Sequence, residues 1–268
     1  MRPAMKRGIS ETRDATASPH FKKLPREFFN QPAVDLSKAL LGKVLARKLP
    51  NGEVLRGTIV ETEAYPGTSL SNHRKRSARN AAMFMEPGTA YVYFTYGMYH
   101  CFNISAQEEG GACLLRAVEP LQDYASMREL RDRPAKKKKT ETGSGKKSKK
   151  PWKLYELANG PGKLCLAFDI DRGSCDKQDL VTSDLMWLEN SDNESFQPGN
   201  FEVEESKRVG IDSSPPESRN QLWRFLIVDN LAVSTAKPHQ RISETAGADE
   251  VRCVISGFEL QNQAVLFC

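Results

Sequence analysis

The chain has 268 residues, 39% of them hydrophobic and 27% charged, with a formal net charge of +5, which is enough apolar material for one large domain or two small ones. No stretch approaches the roughly 20 apolar residues of a membrane span, and the opening MRPAMKRGISETRD lacks the apolar run of a secretory signal, so an intracellular protein without membrane contact is expected. Six cysteines and four histidines avoid the short spacings of metal sites, and neither a dinucleotide-binding glycine fingerprint nor a phosphate-binding Walker loop is present, so no metal and no cofactor are expected.

The positive charge is unevenly placed: residues 1–26 carry +5 and residues 136–150 carry +7, whereas residues 151–238 carry −6. Any nucleic-acid surface on the folded part must therefore come from local placement of Arg and Lys rather than from bulk charge. Residues 1–24 are polar and unpatterned and read as a disordered basic arm. A single domain is expected over 25–238, followed by a tail, 239–268, without an assignable pattern.

In chain order, Asp35 as cap and Gly42 as stop bracket a short helix over Leu36–Leu41. A hairpin follows, with strands Lys43–Leu49 and Glu53–Tyr65 joined at Pro50-Asn51-Gly52. Thr89–Ser105, rich in aromatic and β-branched residues and broken at Tyr96-Gly97, predicts a second hairpin, with Gly111–Val118 as a strand beside it. Leu121, Tyr124, Met127 and Leu130 fall at helical spacing over Pro120–Leu130. The run KKKKTETGSGKKSKK at 136–150 is too polar to bury and reads as a surface loop, with nuclear import or DNA tethering as its functional alternatives. Gly160-Pro161-Gly162-Lys163 opens a helix through Phe168, residues 189–205 read as an exposed acidic loop, and Leu222–Val233 reads as a buried strand pair or one bent strand. Without βαβ alternation or repeats, the expected fold is a single α+β domain. It has an antiparallel-rich mixed sheet, short surrounding helices and a protruding hairpin.

Period two places Glu61, Glu63 and Tyr65 on one strand face. Spacing alone favours a solvent-facing edge for them, and a catalytic role needs partners. Tyr91, Tyr93, Tyr96 and Tyr99 supply candidates, and a tyrosine at the Tyr96-Gly97 tip gains little burial unless it inserts into something such as a base stack.

Those residues sit within a longer series: Ile59-Val60-Glu61-Thr62-Glu63-Ala64-Tyr65, His73, Arg79-Asn80, Tyr91-Val92-Tyr93, Tyr96-Gly97-Met98-Tyr99 and Asn103-Ile104-Ser105. It continues through Leu114-Leu115-Arg116-Ala117, Asn159-Gly160-Pro161-Gly162-Lys163 and Arg208-Val209-Gly210-Ile211 to Trp223-Arg224-Phe225. In combination and order it resembles the alkyladenine (N-methylpurine) DNA glycosylase family, over about Phe28 to Pro238. The resemblance implies that Glu63 is the general base and that Arg116 and the Val209 carbonyl hold the attacking water. It also implies that Tyr65, His73 and Tyr93 sandwich an extruded base, bordered by Asn103 and Leu114, which exclude normal guanine. Tyr96 would be the wedge in the duplex with Met98 beside it, and Arg79 and Lys163 would touch the DNA backbone. The implied partner is double-stranded DNA containing damaged purines, met by a monomer in the nucleus, with no cofactor.

Two other classes compete. A non-enzymatic minor-groove DNA-binding protein would insert the same hairpin with Glu63 purely structural, and would bind in a salt-sensitive way without product. A carbohydrate hydrolase using Glu61 and Glu63 fails on geometry, because such pairs flank the scissile bond about 5 Å or more apart.

Overall fold

The computed structural model describes residues 22–67, 76–133 and 151–234. His73, the lysine-rich insert, the tail at 239–268 and most of the N-terminal arm lie outside the described residues.

Two short helices come first, α1 (Arg26–Phe29) and α2 (Ala33–Ala39). The second stands where the Leu36–Leu41 helix was expected but starts three residues earlier, and Asp35 is in its first turn rather than at its cap. The Glu108 carboxylate instead accepts the Ala33 N–H at 3.0 Å with both oxygens, a capping contact from 75 residues away that local spacing does not reveal. The first hairpin forms as expected from β1 (Val44–Lys48) and β2 (Val54–Tyr65), with Gly52 at φ +89 in its turn.

The second hairpin is β3 (Ala90–Thr95) and β4 (Tyr99–Ser105), and β5 (Ala112–Pro120) lies beside it. Next come α3 (Ala125–Asp132), α4 (Pro161–Ala167) and α5 (Arg172–Cys175). Leu121 falls outside α3 and is exposed, so the apolar spacing overstated that helix at its start. The chain then forms β6 (Met186–Glu189), β7 (Val203–Ser206), α6 (Pro216–Arg219) and β8 (Arg224–Ile227). The 189–205 stretch is therefore not all loop: it begins at the end of β6 and contains most of β7. The side chains of Val203, Glu204 and Glu205 are exposed, and the strand is held by backbone pairing to β8, a bond pattern to which side-chain polarity is blind. Leu222–Val233 resolves into the single strand β8 and a turn at Asp229, φ +58.

The strands form one sheet in the order β3-β4-β5-β2-β1-β6, with β8 beside the C-terminal part of β2 and β7 beyond it. Every pairing among the described strands is antiparallel, and the molecule is a single α+β domain. The centre of this sheet is β2, which pairs with β5 along one edge and with β1 and then β8 along the other. One face of the sheet carries the main core. There α2 is tied down by the Thr62 hydroxyl donating to the Ser37 carbonyl at 2.8 Å and by the Cys113 thiol against the Ala33 carbonyl at 3.2 Å. Because side chains alternate along a strand, Glu63 and Tyr65 are sent to the opposite face.

Gly57 allows β2 and β5 to close tightly: a Cβ there would lie 2.4 Å from Val118 Cγ1 and 2.9 Å from the Glu119 carbonyl oxygen. Gly57→Ala is expected to destabilise the fold by about 1–3 kcal/mol through overpacking. Urea denaturation measures this, and an unchanged midpoint would contradict the tight contact.

Candidate active site

The site is a row of residues across five strands. Tyr91 on β3 stands opposite Asn103 on β4, Asn103 opposite Leu114 on β5, Leu114 opposite Glu63 on β2, and Glu63 opposite Arg224 on β8. Residues directly opposite in antiparallel strands share a face with Cβ atoms about 5 Å apart, so the register alone gathers side chains from distant parts of the sequence. Tyr93 opposite Cys101 and Tyr65 opposite Ala112 flank the row. Tyr65, Tyr91, Tyr93, Cys101, Asn103, Ala112 and Leu114, together with Met83, Tyr96, Arg116, Pro161 and the loop Val209-Gly210-Ile211, line a cavity of about 250 Å³, and Glu63 lies buried beneath its Tyr65 and Arg116 side. That volume is just below the roughly 300–1,000 Å³ of pockets for drug-sized ligands, a size suited to one flat bicyclic group.

Between β2 and β5 the pairing slips twice, at Ile59/Glu61 and at Glu61/Thr62, leaving Val60 and Arg116 without a residue opposite. Such bulges re-aim side chains, and here Arg116 spans two carboxylates. Its Nε donates to Glu61 Oε1 at 2.7 Å, while its Nη1 lies 3.1 Å from Glu63 Oε1. Glu63 Oε1 also accepts the Val209 N–H at 2.7 Å, and Glu63 Oε2 accepts the Tyr65 hydroxyl at 2.8 Å. Among the described residues Glu63 thus accepts two hydrogen bonds and makes one ion-pair contact, against about four acceptor positions. One position, at Oε2, remains for a further donor such as water.

Glu61 and Glu63 are both fully buried, so the expected solvent-facing edge is overturned. The reason is topological: β8 covers the edge of β2 that carries them. Glu61 Oε1 accepts Arg116 Nε, Arg224 Nε and the Ser234 hydroxyl at 2.7–2.8 Å, and Oε2 accepts the Ser234 N–H at 2.7 Å. Burial alone would push the Glu61 carboxyl upward, but Arg116, Arg224 and the Ser234 hydroxyl outweigh it and hold the group below the ordinary value of 4.5. On Arg116, burial is likewise overcome, by Glu63 and then Glu61, and the guanidinium titrates above its ordinary range. Burial followed by the Glu63 charge pushes the Tyr65 phenol well above its usual value, and burial with the Cys101 contact does so for Tyr93. Both rings therefore stay neutral hydrogen-bond donors.

The cavity walls have cations behind them. The Arg208 guanidinium lies 4.6 Å from the Tyr65 ring centroid and 4.8 Å from that of Trp223, and it donates to the Ala64 carbonyl at 3.0 Å. Arg79 lies 5.5 Å from the Tyr93 centroid with Nη2 3.3 Å from the Phe94 carbonyl. Lys163, one turn into α4, donates to Asn159 Oδ1 at 2.8 Å. Asn103 Nδ2 donates to the Tyr91 carbonyl at 3.1 Å. At the hairpin tip, Met98 N–H closes a turn onto the Thr95 carbonyl at 3.1 Å around Tyr96, φ +51, and Gly97, φ +67. Tyr96 is 82% exposed and Met98 60% exposed.

Of the residues singled out from sequence, the structure brings Glu63, Tyr65, Tyr93, Tyr96, Asn103, Leu114, Arg116 and Val209 to one cavity and its wall. His73 lies outside the described residues. Val209 meets Glu63 through its amide, not through the carbonyl assigned to water. Arg79 and Lys163 are occupied by the Tyr93 ring with the Phe94 carbonyl and by Asn159. From sequence, Tyr91 is only one of four candidate rings, Arg208 and Arg224 appear only within motifs, and Cys101 and Ser234 have no site role. A charged Arg224 within the apolar run Leu222–Val228 was the available signal, because such a charge needs a buried partner.

Fold and site together define a domain with a tyrosine-lined cavity beside a buried, hydrogen-bonded and ion-paired carboxylate. A family profile for methylpurine-DNA glycosylase matches residues 27–231, and the chain belongs to that family. It is 44% identical to the DNA-3-methyladenine glycosylase of Homo sapiens over 78% of this chain and 41% identical to that of Mus musculus over 82%. The chain spans 66% of the length of each of these mammalian proteins. A Clostridium perfringens (strain 13 / Type A) protein, provisionally named a 3-methyladenine DNA glycosylase, is 40% identical over 79% of this chain and 98% of its own length.

Since Glu61 is held below its ordinary value in the folded state, the stability it confers is complete above pH 4.5 and is lost as pH falls through the lower folded value. Glu61→Gln leaves two buried guanidiniums undercompensated and is expected to cost about 3–5 kcal/mol. Denaturation curves over pH 3–7 check both points: the variant should be weaker at neutral pH and show less acid dependence than the parent.

Proposed function

We propose that the chain is a monofunctional DNA glycosylase that draws a damaged purine out of duplex DNA and hydrolyses its bond to deoxyribose. Glu63 carries this reading: a carboxylate with one acceptor position to spare, beside a ring-lined cavity sized for one base. In the reaction a water held by Glu63 attacks the sugar C1′. The C1′–O bond forms, the C1′–N bond breaks with its electron pair going to the base, and the water's proton passes to Glu63. The carboxylate also offsets positive charge growing on the sugar.

The names of the mammalian relatives support methylated purines as substrates. Alkylation at a ring nitrogen makes the base cationic, so it leaves neutral. The reading extends to hypoxanthine and ethenoadenine, which carry no such charge and need a proton on the base as it departs. No lysine is among the described residues lining the cavity. This favours direct attack by water over a Schiff base, and an abasic site with an intact backbone as product.

Tyr96 supports extrusion of the base. A non-glycine residue in the left-handed region costs about 1–2 kcal/mol, and an 82% exposed ring recovers little of that by burial in the free protein. Inserted into the base stack, the ring fills the gap left by the extruded nucleotide. In this reading Arg79, beside Tyr93, and Lys163, two residues after Pro161, exchange their present partners for the flanking phosphates.

Glu63→Gln is expected to keep lesion-DNA affinity and to lower base release by at least about 10²-fold, scored as alkali-labile sites. Release near the parental rate would remove Glu63 as the base, and tight binding without product by the parent protein would favour the non-enzymatic reading. For the hairpin, Tyr96→Ser should weaken lesion binding by about 1–3 kcal/mol and diminish the fluorescence of an extruded ethenoadenine. An undiminished signal would contradict the wedge.

A further inference from the structure

We infer that Ser234 is a positioning residue for hydrolysis, acting through Glu61 and Arg116 on Glu63. It lies three residues beyond the segment matched to the family. It is 8% exposed and does not line the cavity.

The chain grips Glu61 twice from the same direction. Strand β8 first delivers Arg224, whose Nε donates to Glu61 Oε1 at 2.7 Å. The chain then reverses through Asp229, φ +58, in a turn held by Asn230. The Asn230 side chain accepts the Ala232 N–H at 2.8 Å and donates to Glu119 Oε2 on β5 at 2.7 Å. That reversal returns Ser234 to the carboxylate it has just passed. The Ser234 N–H donates to Glu61 Oε2 at 2.7 Å and its hydroxyl to Glu61 Oε1 at 2.8 Å, so both carboxylate oxygens are held by one residue. The same hydroxyl oxygen accepts Arg116 Nη2 at 3.3 Å, and the Ser234 carbonyl accepts Arg224 Nη2 at 3.3 Å.

The consequence follows from the shape of a guanidinium. Its five N–H bonds lie in a fixed plane, so fixing two nitrogens of Arg116 fixes the third. Glu61 holds Nε and Ser234 holds Nη2, which sets Nη1 in an ion pair with Glu63 Oε1, 3.1 Å away. If the hydroxyl is removed, Arg116 loses one anchor outright, and Glu61, its other anchor, loses one of its four donors. The guanidinium then tilts, and the Glu63 carboxylate that orients the water tilts with it. Ser234 itself lies outside the cavity lining and makes no hydrogen bond to the Tyr65, Tyr93 or Tyr96 rings. The effect should therefore fall on the chemical step and not on capture of the base.

This inference rests on the glycosylase reading, and the experiment separates the two. The full chain and its Ser234→Ala and Ser234→Thr variants are incubated in excess with a duplex carrying one ethenoadenine. Single-turnover base release, duplex affinity and ethenoadenine fluorescence are each followed. Ser234→Ala is expected to slow release on the order of 10–100-fold, as small displacements of catalytic groups do, with affinity and fluorescence unchanged. Ser234→Thr, which retains a hydroxyl, should recover most of the rate. Parental release by Ser234→Ala would overturn the inference, as would equal losses in both variants or a loss confined to affinity. Should Ser234→Ala fail to fold, a Ser234→Thr variant that folds but releases slowly would overturn it equally, and one that releases at the parental rate would uphold it. If the parent chain releases no base from this or a methylated-purine duplex, the glycosylase reading itself falls.

Discussion

Two carboxylates and two guanidiniums are buried together on the central strand, and the site depends on their mutual compensation. Glu61 and Glu63 come from one strand, Arg116 from its neighbour on one side and Arg224 from its neighbour on the other. Each charge alone would be costly to remove from water, and the set is tolerated because each member is paired and hydrogen-bonded. A buried charge network with fixed partners has few alternative geometries. In the proposed hydrolysis, that rigidity keeps the Glu63 carboxylate in one orientation toward the attacking water.

The division of labour between the glutamates follows from their partners. Every acceptor contact of Glu61 is to the protein, from two guanidiniums and both donors of Ser234, which makes it an anchor. Glu63 has fewer donors and is bonded to Tyr65 and Val209, both in the cavity lining, which leaves it able to engage something that arrives there. The double slip in β2–β5 pairing makes this difference, because it frees Arg116 from regular pairing and lets it reach both carboxylates.

The same sheet builds both the cavity and the exposed tip. Strands β3 and β4 contribute the inner wall through Tyr91, Tyr93, Cys101 and Asn103, and then run on to carry Tyr96 and Met98 into solvent. Tip and wall are thus two ends of one hairpin, and in the proposed extrusion of a base its pairing ties the position of Tyr96 to that of the cavity. Behind the walls, Arg208 and Arg79 rest on the Tyr65 and Tyr93 rings. Cations on ring faces hold those rings in place.

Much of this was legible in the sequence, for local reasons. Alternation and turn chemistry gave both hairpins, the strand at β5 and the shared side of Glu61, Glu63 and Tyr65, because strand period and glycine-bearing turns depend on neighbours a few residues apart. The ordered motifs from Ile59 to Phe225 pointed to the family and to Glu63, Tyr93, Tyr96 and Arg116. What local pattern did not decide was burial. Whether Glu61 and Glu63 face water or the interior depends on β8, some 160 residues away, lying along their strand. The short exposed strand β7, the capping of α2 by Glu108 and the return of Ser234 to Glu61 are likewise contacts between distant segments. They are made by backbone or charged groups whose pairing leaves no periodic trace in the chain. Residue types and strand period thus determined which groups were available for chemistry. Only the tertiary pairing decided which were taken out of water and held against one another, because the balance between desolvation and pairing is set by what covers a side chain and not by what precedes it.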